Sequence, residues 1–263
     1  GEAPATLDDI IYRTNVMVED KRLQAGAEAA VLHVTPSLSD KGGRFEVAIQ
    51  KKYQGTRTDE NKPKYLSEAR AYMADKAGSQ VWAWRAYDNG ESGSVVIITK
   101  DKDLRMCPGL HLNWDTGIIF DHGTDLFGEI TLTTVVGKVD PKTGKARTSK
   151  KEGGWGTKWF WYQLLMGDTA DSIKGVPKAL FSNGKHSLCG KVGAYELLAD
   201  AKTDRECLKI AMDAYKTNEY VHWHTGEAAK WSDVFWSEAQ MLWMQRTPGD
   251  INDVKKWVKD FLT

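Results

Sequence analysis

Val95-Val96-Ile97-Ile98-Thr99-Lys100-Asp101-Lys102-Asp103 is the stretch that decides how this chain is read. Four β-branched aliphatic residues in a row suit a strand buried on both faces, as in a parallel sheet covered by helices. The polar run that follows marks the strand's carboxyl end, which is where ligands bind in open α/β sheets. Asp101 and Asp103 fall there, at i and i+2. A second pair lies in Gly167-Asp168-Thr169-Ala170-Asp171, at i and i+3 in a helix-start pattern that runs into Ser172-Ile173-Lys174-Gly175-Val176. The two pairs can point at one spot, and clustered carboxylates hold divalent cations beside phosphates. Each pair also has an ordinary explanation. Asp101 and Asp103 can be a solvated strand exit neutralised by Lys100 and Lys102. Asp168 and Asp171 can be a helix N-cap and a first-turn acid.

Working outward, Thr6 to Asp9 forms a capping box, and Leu7, Ile10, Ile11 and Met17 give a helical stripe that Gly26 stops. Ala30-Val31-Leu32-His33-Val34 has the composition of a buried strand. A basic, turn-rich stretch, Lys51-Lys52-Tyr53-Gln54-Gly55-Thr56-Arg57, precedes a helix predicted from Pro63 to Ala77. Val81-Trp82-Ala83-Trp84, Val95 to Ile98 and Leu110 to Trp114 are strand candidates. Helices alternating with strands predict an α/β fold with a mostly parallel central sheet. Glu129 to Val136 is β-prone, and Asp140-Pro141-Lys142-Thr143-Gly144 is a turn followed by Lys145, Arg147, Lys150 and Lys151. This predicts a protruding hairpin, then a flexible link at Gly153-Gly154-Trp155-Gly156. The remainder is helical, with stripes Leu208, Ala211, Met212, Tyr215 and Val254, Trp257, Val258, Phe261, Leu262. Two units follow: residues 1–152, an α/β core, and residues 153–263, a helical subdomain. Lys174-Gly175-Val176 and Gly190-Lys191-Val192-Gly193 are glycine loops of the kind that present backbone N–H groups to an anion. They can equally be connections that need glycine for positive φ.

The 263 residues are 41% hydrophobic and 27% charged, an ordinary globular balance. Formal net charge is +0, so binding to nucleic acid must come from local patches. The three cysteines, Cys107, Cys189 and Cys207, lack metal-ligand spacing and read as structural thiols of a reducing, cytoplasmic compartment. No apolar run is long enough to span a membrane. Gly1-Glu2-Ala3-Pro4 has neither the basic nor the apolar region of a signal peptide. Eleven tryptophans weigh toward core packing over base stacking. His222-Trp223-His224 lacks a third ligand and suits a loop or packing role.

Three motifs occur in a telling order: Tyr53-Gln54-Gly55-Thr56-Arg57, then Thr99-Lys100-Asp101-Lys102-Asp103, then Met166-Gly167-Asp168-Thr169-Ala170-Asp171-Ser172-Ile173-Lys174-Gly175-Val176. In these the chain resembles the 5′→3′ exonuclease and flap endonuclease family, most closely the versions encoded by T-odd bacteriophages. The resemblance implies a PIN/FEN-like core with a helix–three-turn–helix that grips duplex DNA. It implies hydrolysis of DNA phosphodiesters at or near 5′ ends by a two-metal mechanism. Asp101, Asp103, Asp168 and Asp171 match the metal ligands, for two Mg2+ or Mn2+ ions. Lys51, Lys52 and Arg57 match the basic stretch that steadies the scissile phosphate. Tyr53, Gly55, Arg57, Lys174, Gly175, Gly190, Lys191 and Gly193 match DNA contacts, with K+ at the helix–three-turn–helix. The implied partners are DNA with a 5′ end or flap and replication proteins, for a monomer in the host cytoplasm, with no membrane.

The chain departs from the family in two places. The family's first strand, which carries an aspartate, would precede Gly1. Its acidic helix would stand where Tyr87-Asp88-Asn89-Gly90-Glu91 does. The expectation is therefore that a helix is missing between Tyr87 and Val95, with a break at Asp88 and Asn89. The alternative is a non-catalytic protein that binds DNA junctions. A ribonuclease of the related compact acidic fold is disfavoured by Gly167 to Leu198.

Overall fold

The computed structural model describes residues 6–35, 39–57, 63–73, 79–91, 93–139 and 142–262. It is a mixed α/β fold of short sheets and many helices. Helix α1 (Leu7–Gln24) starts at Thr6, whose hydroxyl accepts from Asp9 N while the Asp9 carboxylate accepts from Thr6 N. It ends before Gly26, at φ 63°, as expected. The short helices α2 (Arg44–Val47), α3 (Leu66–Met73) and α4 (Ser79–Asp88) follow. The expected end of α3 at Ala77 and Gly78 lies outside the described residues.

Two sequence expectations fail here. Val81 to Trp84 lies in α4 and is not a strand. Trp84 is fully buried, Ala83 and Ala86 share its burial, and the Trp84 indole donates to Met244 O at 2.8 Å. One face of a helix buries these residues, and that packing overrides their β-propensity. Asn89 N bonds Arg85 O, Gly90 N bonds Tyr87 O and Glu91 N bonds Ala86 O, so α4 closes in an ordinary turn before the next strand. Ala30 to Val34 also fails to form a strand, and Val31 is exposed.

The strand β1 (Val96–Thr99) pairs in parallel with β2 (Leu110–Asn113), Val96 opposite Leu110. A 3-10 turn, Lys102–Met106, connects them. The third strand, β3 (Ile119–Asp121), pairs antiparallel with β2. Among the described residues this sheet has one parallel and one antiparallel pair, not the mostly parallel sheet expected. The strands β4 (Glu129–Val139) and β5 (Ala146–Trp155) form the expected hairpin. The expected link at Gly153–Gly156 is no flexible tether. Gly153 to Trp155 are paired in β5, and Gly156 opens helix α5 (Gly156–Met166). The proposed boundary at 152/153 therefore falls inside a strand.

A small hairpin, β6 (Lys178–Leu180) with β7 (His186–Leu188), leads to α6 (Gly190–Leu198) and α7 (Asp204–Lys216). Then come the pair β8 (Tyr220–Val221) and β9 (Ala228–Ala229), α8 (Trp231–Leu242) and α9 (Asp253–Lys259). Gly156 to Leu165 of α5 are all buried, and the helix packs against α6, α7, α8, the 3-10 turn and the root of the β4–β5 hairpin. Trp84, Trp159, Trp161 and Trp243 are fully buried, so their role is packing. All three cysteines are buried and free. No helix among the described residues is long and apolar enough to cross a membrane.

Candidate metal centre

The centre is built where α5 ends. Gly167 caps the helix at φ 82°. Asp168 and Ile173 then exchange two backbone hydrogen bonds, at 2.8 and 2.7 Å, closing a tight turn. The turn is held from beneath by Gly175 at φ 66°. A Cβ there would lie 2.4 Å from Gly167 N, so only glycine fits. Asp168 and Asp171 therefore project from a closed turn after a helix. The helix-start pattern did not start a helix, because Gly167 and Gly175 reverse the chain first.

Asp103 comes from the 3-10 turn that follows β1. The carboxylates of Asp103, Asp168 and Asp171 each offer an oxygen within 4.8 Å of the others. Asp103 and Asp168 are buried, and Asp171 is half-buried. Asp101 falls outside this group. It is exposed and caps the 3-10 turn, its carboxylate accepting from Asp103 N at 3.0 Å.

Cationic and polar side chains already attend the group. The Lys102 ammonium sits between two of the acids, 3.2 Å from Asp103 Oδ1 and 2.9 Å from Asp168 Oδ2. Gln163 of α5 donates to Asp103 Oδ1 at 2.5 Å. Burial pushes the Asp103 carboxyl above the usual carboxylate range, against the pull of Lys102. Burial acts to lower the Lys102 pKa, but Asp103 and Asp168 outweigh it and the ammonium is held above its ordinary value. Two buried oxygens beside the group, Ser172 Oγ and Gln163 Oε1, have no hydrogen-bond partner among the described residues.

Asp171 gathers the basic segment. Gln54 N donates to Asp171 O at 2.9 Å. The Tyr53 hydroxyl donates to Asp171 Oδ2 at 2.9 Å, Gln54 Nε2 to Oδ1 at 2.9 Å, and Arg57 Nη2 to Oδ1 at 2.8 Å. Tyr53 is buried, so it supports Asp171 and offers no face to a base; burial raises its pKa. Gly55 folds the segment back, donating to Lys52 O at 3.0 Å. Lys51, Lys52 and Lys174 are exposed, the first two just before Tyr53 and the third just after the aspartate turn.

The second glycine loop stands at the start of α6. Gly190, exposed at φ 62°, opens α6. Gly193 is buried under Phe181, whose ring a Cβ would meet at 2.7 Å, so its need for glycine is steric. Lys191 Nζ bonds Glu152 Oε2 at 2.8 Å and Lys150 O at 3.1 Å. His222, Trp223 and His224 form a tight turn: His222 Nδ1 accepts from His224 N, and Trp223 docks on Ala48 O.

Beneath the centre sits Glu238 of α8, fully buried and absent from the sequence reading. Gln50 Nε2 donates to its Oε1 at 2.7 Å and the Tyr215 hydroxyl to its Oε2 at 2.6 Å. Burial raises its pKa to about 7, with the hydrogen bonds from Tyr215, Gln50 and the Lys174 and Gly175 backbone pulling it back. Gln50 also donates to Gly175 O at 3.3 Å, so one buried acid ties the basic segment to the aspartate turn. Its signal was available: Val234, Phe235, Glu238, Met241 and Leu242 share one helical face, on which an acid is out of place.

No protein-family model matches the chain, and neither curated proteins nor solved structures give a match.

Proposed function

We propose that the protein is a divalent-metal-dependent phosphodiesterase that hydrolyses DNA at or near 5′ ends. The observation that carries this reading is the meeting of Asp103, Asp168 and Asp171 with the Tyr53–Arg57 segment docked on Asp171. Three segments far apart in sequence thus meet in one place. Carboxylate oxygens are the donor set that Mg2+ and Mn2+ take, so the three acids fit such ions. Bound there, the metal would supply an activated water and charge neutralisation at the phosphate. The chain's own residues do the rest. Arg57, half out in solvent, can exchange Asp171 for a phosphate oxygen and hold it bidentately. Lys51, Lys52 and Lys174 add positive charge for the strand entering the site. Tyr53, Gln54 and Gln163 fix the acids in place.

On this reading the core is a PIN/FEN-like variant. The unit α5, the aspartate turn, the β6–β7 hairpin and α6 plays the part of a helix–three-turn–helix, with exposed Gly190 and Lys191 facing the duplex and buried Gly175 closing the turn from within. The test is cleavage of a 5′-labelled flap duplex with and without Mg2+. Wild type should cut only with the metal, and Asp168→Asn should lose cleavage while keeping its fold and its DNA binding. Equal cutting by Asp168→Asn would end the proposal.

A second reading, DNA-junction binding without cleavage, is favoured by the Lys102 ammonium between Asp103 and Asp168 and by the separation of Asp101. The same flap substrate separates the two: specific binding with no Mg2+-dependent cutting selects the second.

A further inference from the structure

The β4–β5 hairpin is long, and its outer part is exposed to solvent. From Thr133 to Val139 and from Lys142 to Lys151 every residue is exposed, on both faces of the ribbon. An isolated two-stranded ribbon is marginally stable, so a length that buries no core requires another reason. Between Ile130 and Lys151 the chain has six cations, Lys138, Lys142, Lys145, Arg147, Lys150 and Lys151, against one acid, Asp140. In a molecule of formal net charge +0 this is a concentrated positive arm. Cross-strand pairing sets Thr134 opposite Lys150 and Thr133 opposite Lys151, so each face pairs a hydroxyl with an ammonium.

The arm is anchored at the metal centre. Its root packs against the 3-10 turn that carries Asp103, and Lys191 bonds Lys150 O and Glu152. We infer that the β4–β5 ribbon is a second DNA-binding element, lying along the duplex and contacting its phosphates away from the carboxylates. The inference rests on the proposed nuclease reading only for the placement of the DNA end. Nine residues of strand, Thr131 to Val139, reach roughly 30 Å at about 3.3 Å each. That is close to one turn of B-DNA, roughly 34 Å. A two-stranded ribbon also fits the major groove, which is about 12 Å wide. Lysines and threonines at phosphates position a duplex without reading its sequence, which suits an enzyme that recognises ends.

The test uses the full chain, EDTA to stop cleavage, and a labelled 30-base-pair duplex closed by loops at both ends, so that no 5′ end is offered. The comparison is wild type against Lys138→Gln/Lys145→Gln/Lys150→Gln/Lys151→Gln, with the matching four Lys→Arg changes as control. The glutamine variant should bind about tenfold or more weakly. Its slope of log affinity against log salt should be shallower by up to about 0.9 per lysine removed. The arginine variant should bind like wild type, which excludes misfolding as the cause. Unchanged affinity and slope in the glutamine variant would overturn the inference. So would capture of the ribbon by phosphatidylserine vesicles with no binding to the closed duplex. Lysine-dependent binding of the closed duplex, with no Mg2+-dependent cutting of a flap, would sink the nuclease reading and leave the ribbon's role standing.

Discussion

Helices α5 and α1 teach opposite lessons about where this molecule keeps its stability and its chemistry. Gly156 to Leu165 of α5 are all buried, whereas α1, with 18 residues, buries none. Tyr12, Val16 and Leu23 of α1 are exposed, and among the described residues its side-chain hydrogen bonds to other elements are Asn15 with Tyr72 and Lys21 with Trp114 O. Helix α1 exists because of local signals, a capping box at one end and glycine at the other. Helix α5 exists because tertiary packing surrounds it. The aspartate turn follows directly from the end of α5, so Asp168 and Asp171 extend from a helix buried along almost its whole length.

The largest contrast should appear in stability. Trp161→Ala or Leu165→Ala in α5 should cost about 2–5 kcal/mol in denaturant unfolding, from lost burial and an unfilled cavity. Val16→Ala in α1 should stay within about 0.5 kcal/mol. Equal losses at the two sites would break the contrast.

Two glycines with nearly the same backbone sharpen it. Gly175 has φ 66° and Gly26 φ 63°. A Cβ at Gly26 meets nothing within 4 Å, so Gly26→Ala carries only the left-handed penalty, about 1–2 kcal/mol. A Cβ at Gly175 strikes the backbone of Gly167 and Leu165. Gly175→Ala should therefore cost roughly 3 kcal/mol or more and should displace Asp168 and Asp171. A Gly175→Ala protein as stable as Gly26→Ala would contradict the tight closure of the turn.

The buried acid beneath the turn gives a pH signature that α1 lacks. The folded pKa of Glu238, about 7, lies above its ordinary value of 4.5. Its contribution to stability is then fully present below pH 4.5 and is lost as pH rises through about 7. The gap amounts to roughly 3 kcal/mol. Urea unfolding at pH 5 and pH 8 should show Glu238→Gln losing less stability than wild type over that interval. Identical pH dependence in the two proteins would mean that Glu238 does not titrate in the folded state.

Much of the centre was legible in the sequence, and what was not has physical causes. The sequence reading held that the two aspartate pairs can point at one spot, and the carboxylates of Asp103, Asp168 and Asp171 do come together. Asp101 was grouped with Asp103 because side chains at i and i+2 share a face of a strand. The strand stops at Thr99 and the 3-10 turn starts at Lys102, so that periodicity no longer holds and Asp101 becomes a cap. Lys102 was counted only as a neutralising neighbour, since nothing local says that its ammonium reaches Asp168, 66 residues away. Val81 to Trp84 misled through composition, because β-prone residues go into helices when one face is buried. Gly153 to Gly156 read as a tether, yet Thr131 Oγ1 crowds Gly153, and the backbones of Glu129 and of Phe127 and Gly128 crowd Gly154 and Gly156.

The most direct test of the central claim is a Mn2+ titration followed by electron paramagnetic resonance, which needs no substrate. Wild type should bind Mn2+ saturably, and Asp103→Asn/Asp168→Asn should bind it about tenfold or more weakly. Lys102→Gln, which removes the competing ammonium, should bind it more tightly than wild type. Equal Mn2+ affinity in wild type and the double variant would contradict the assignment of these carboxylates as a metal centre.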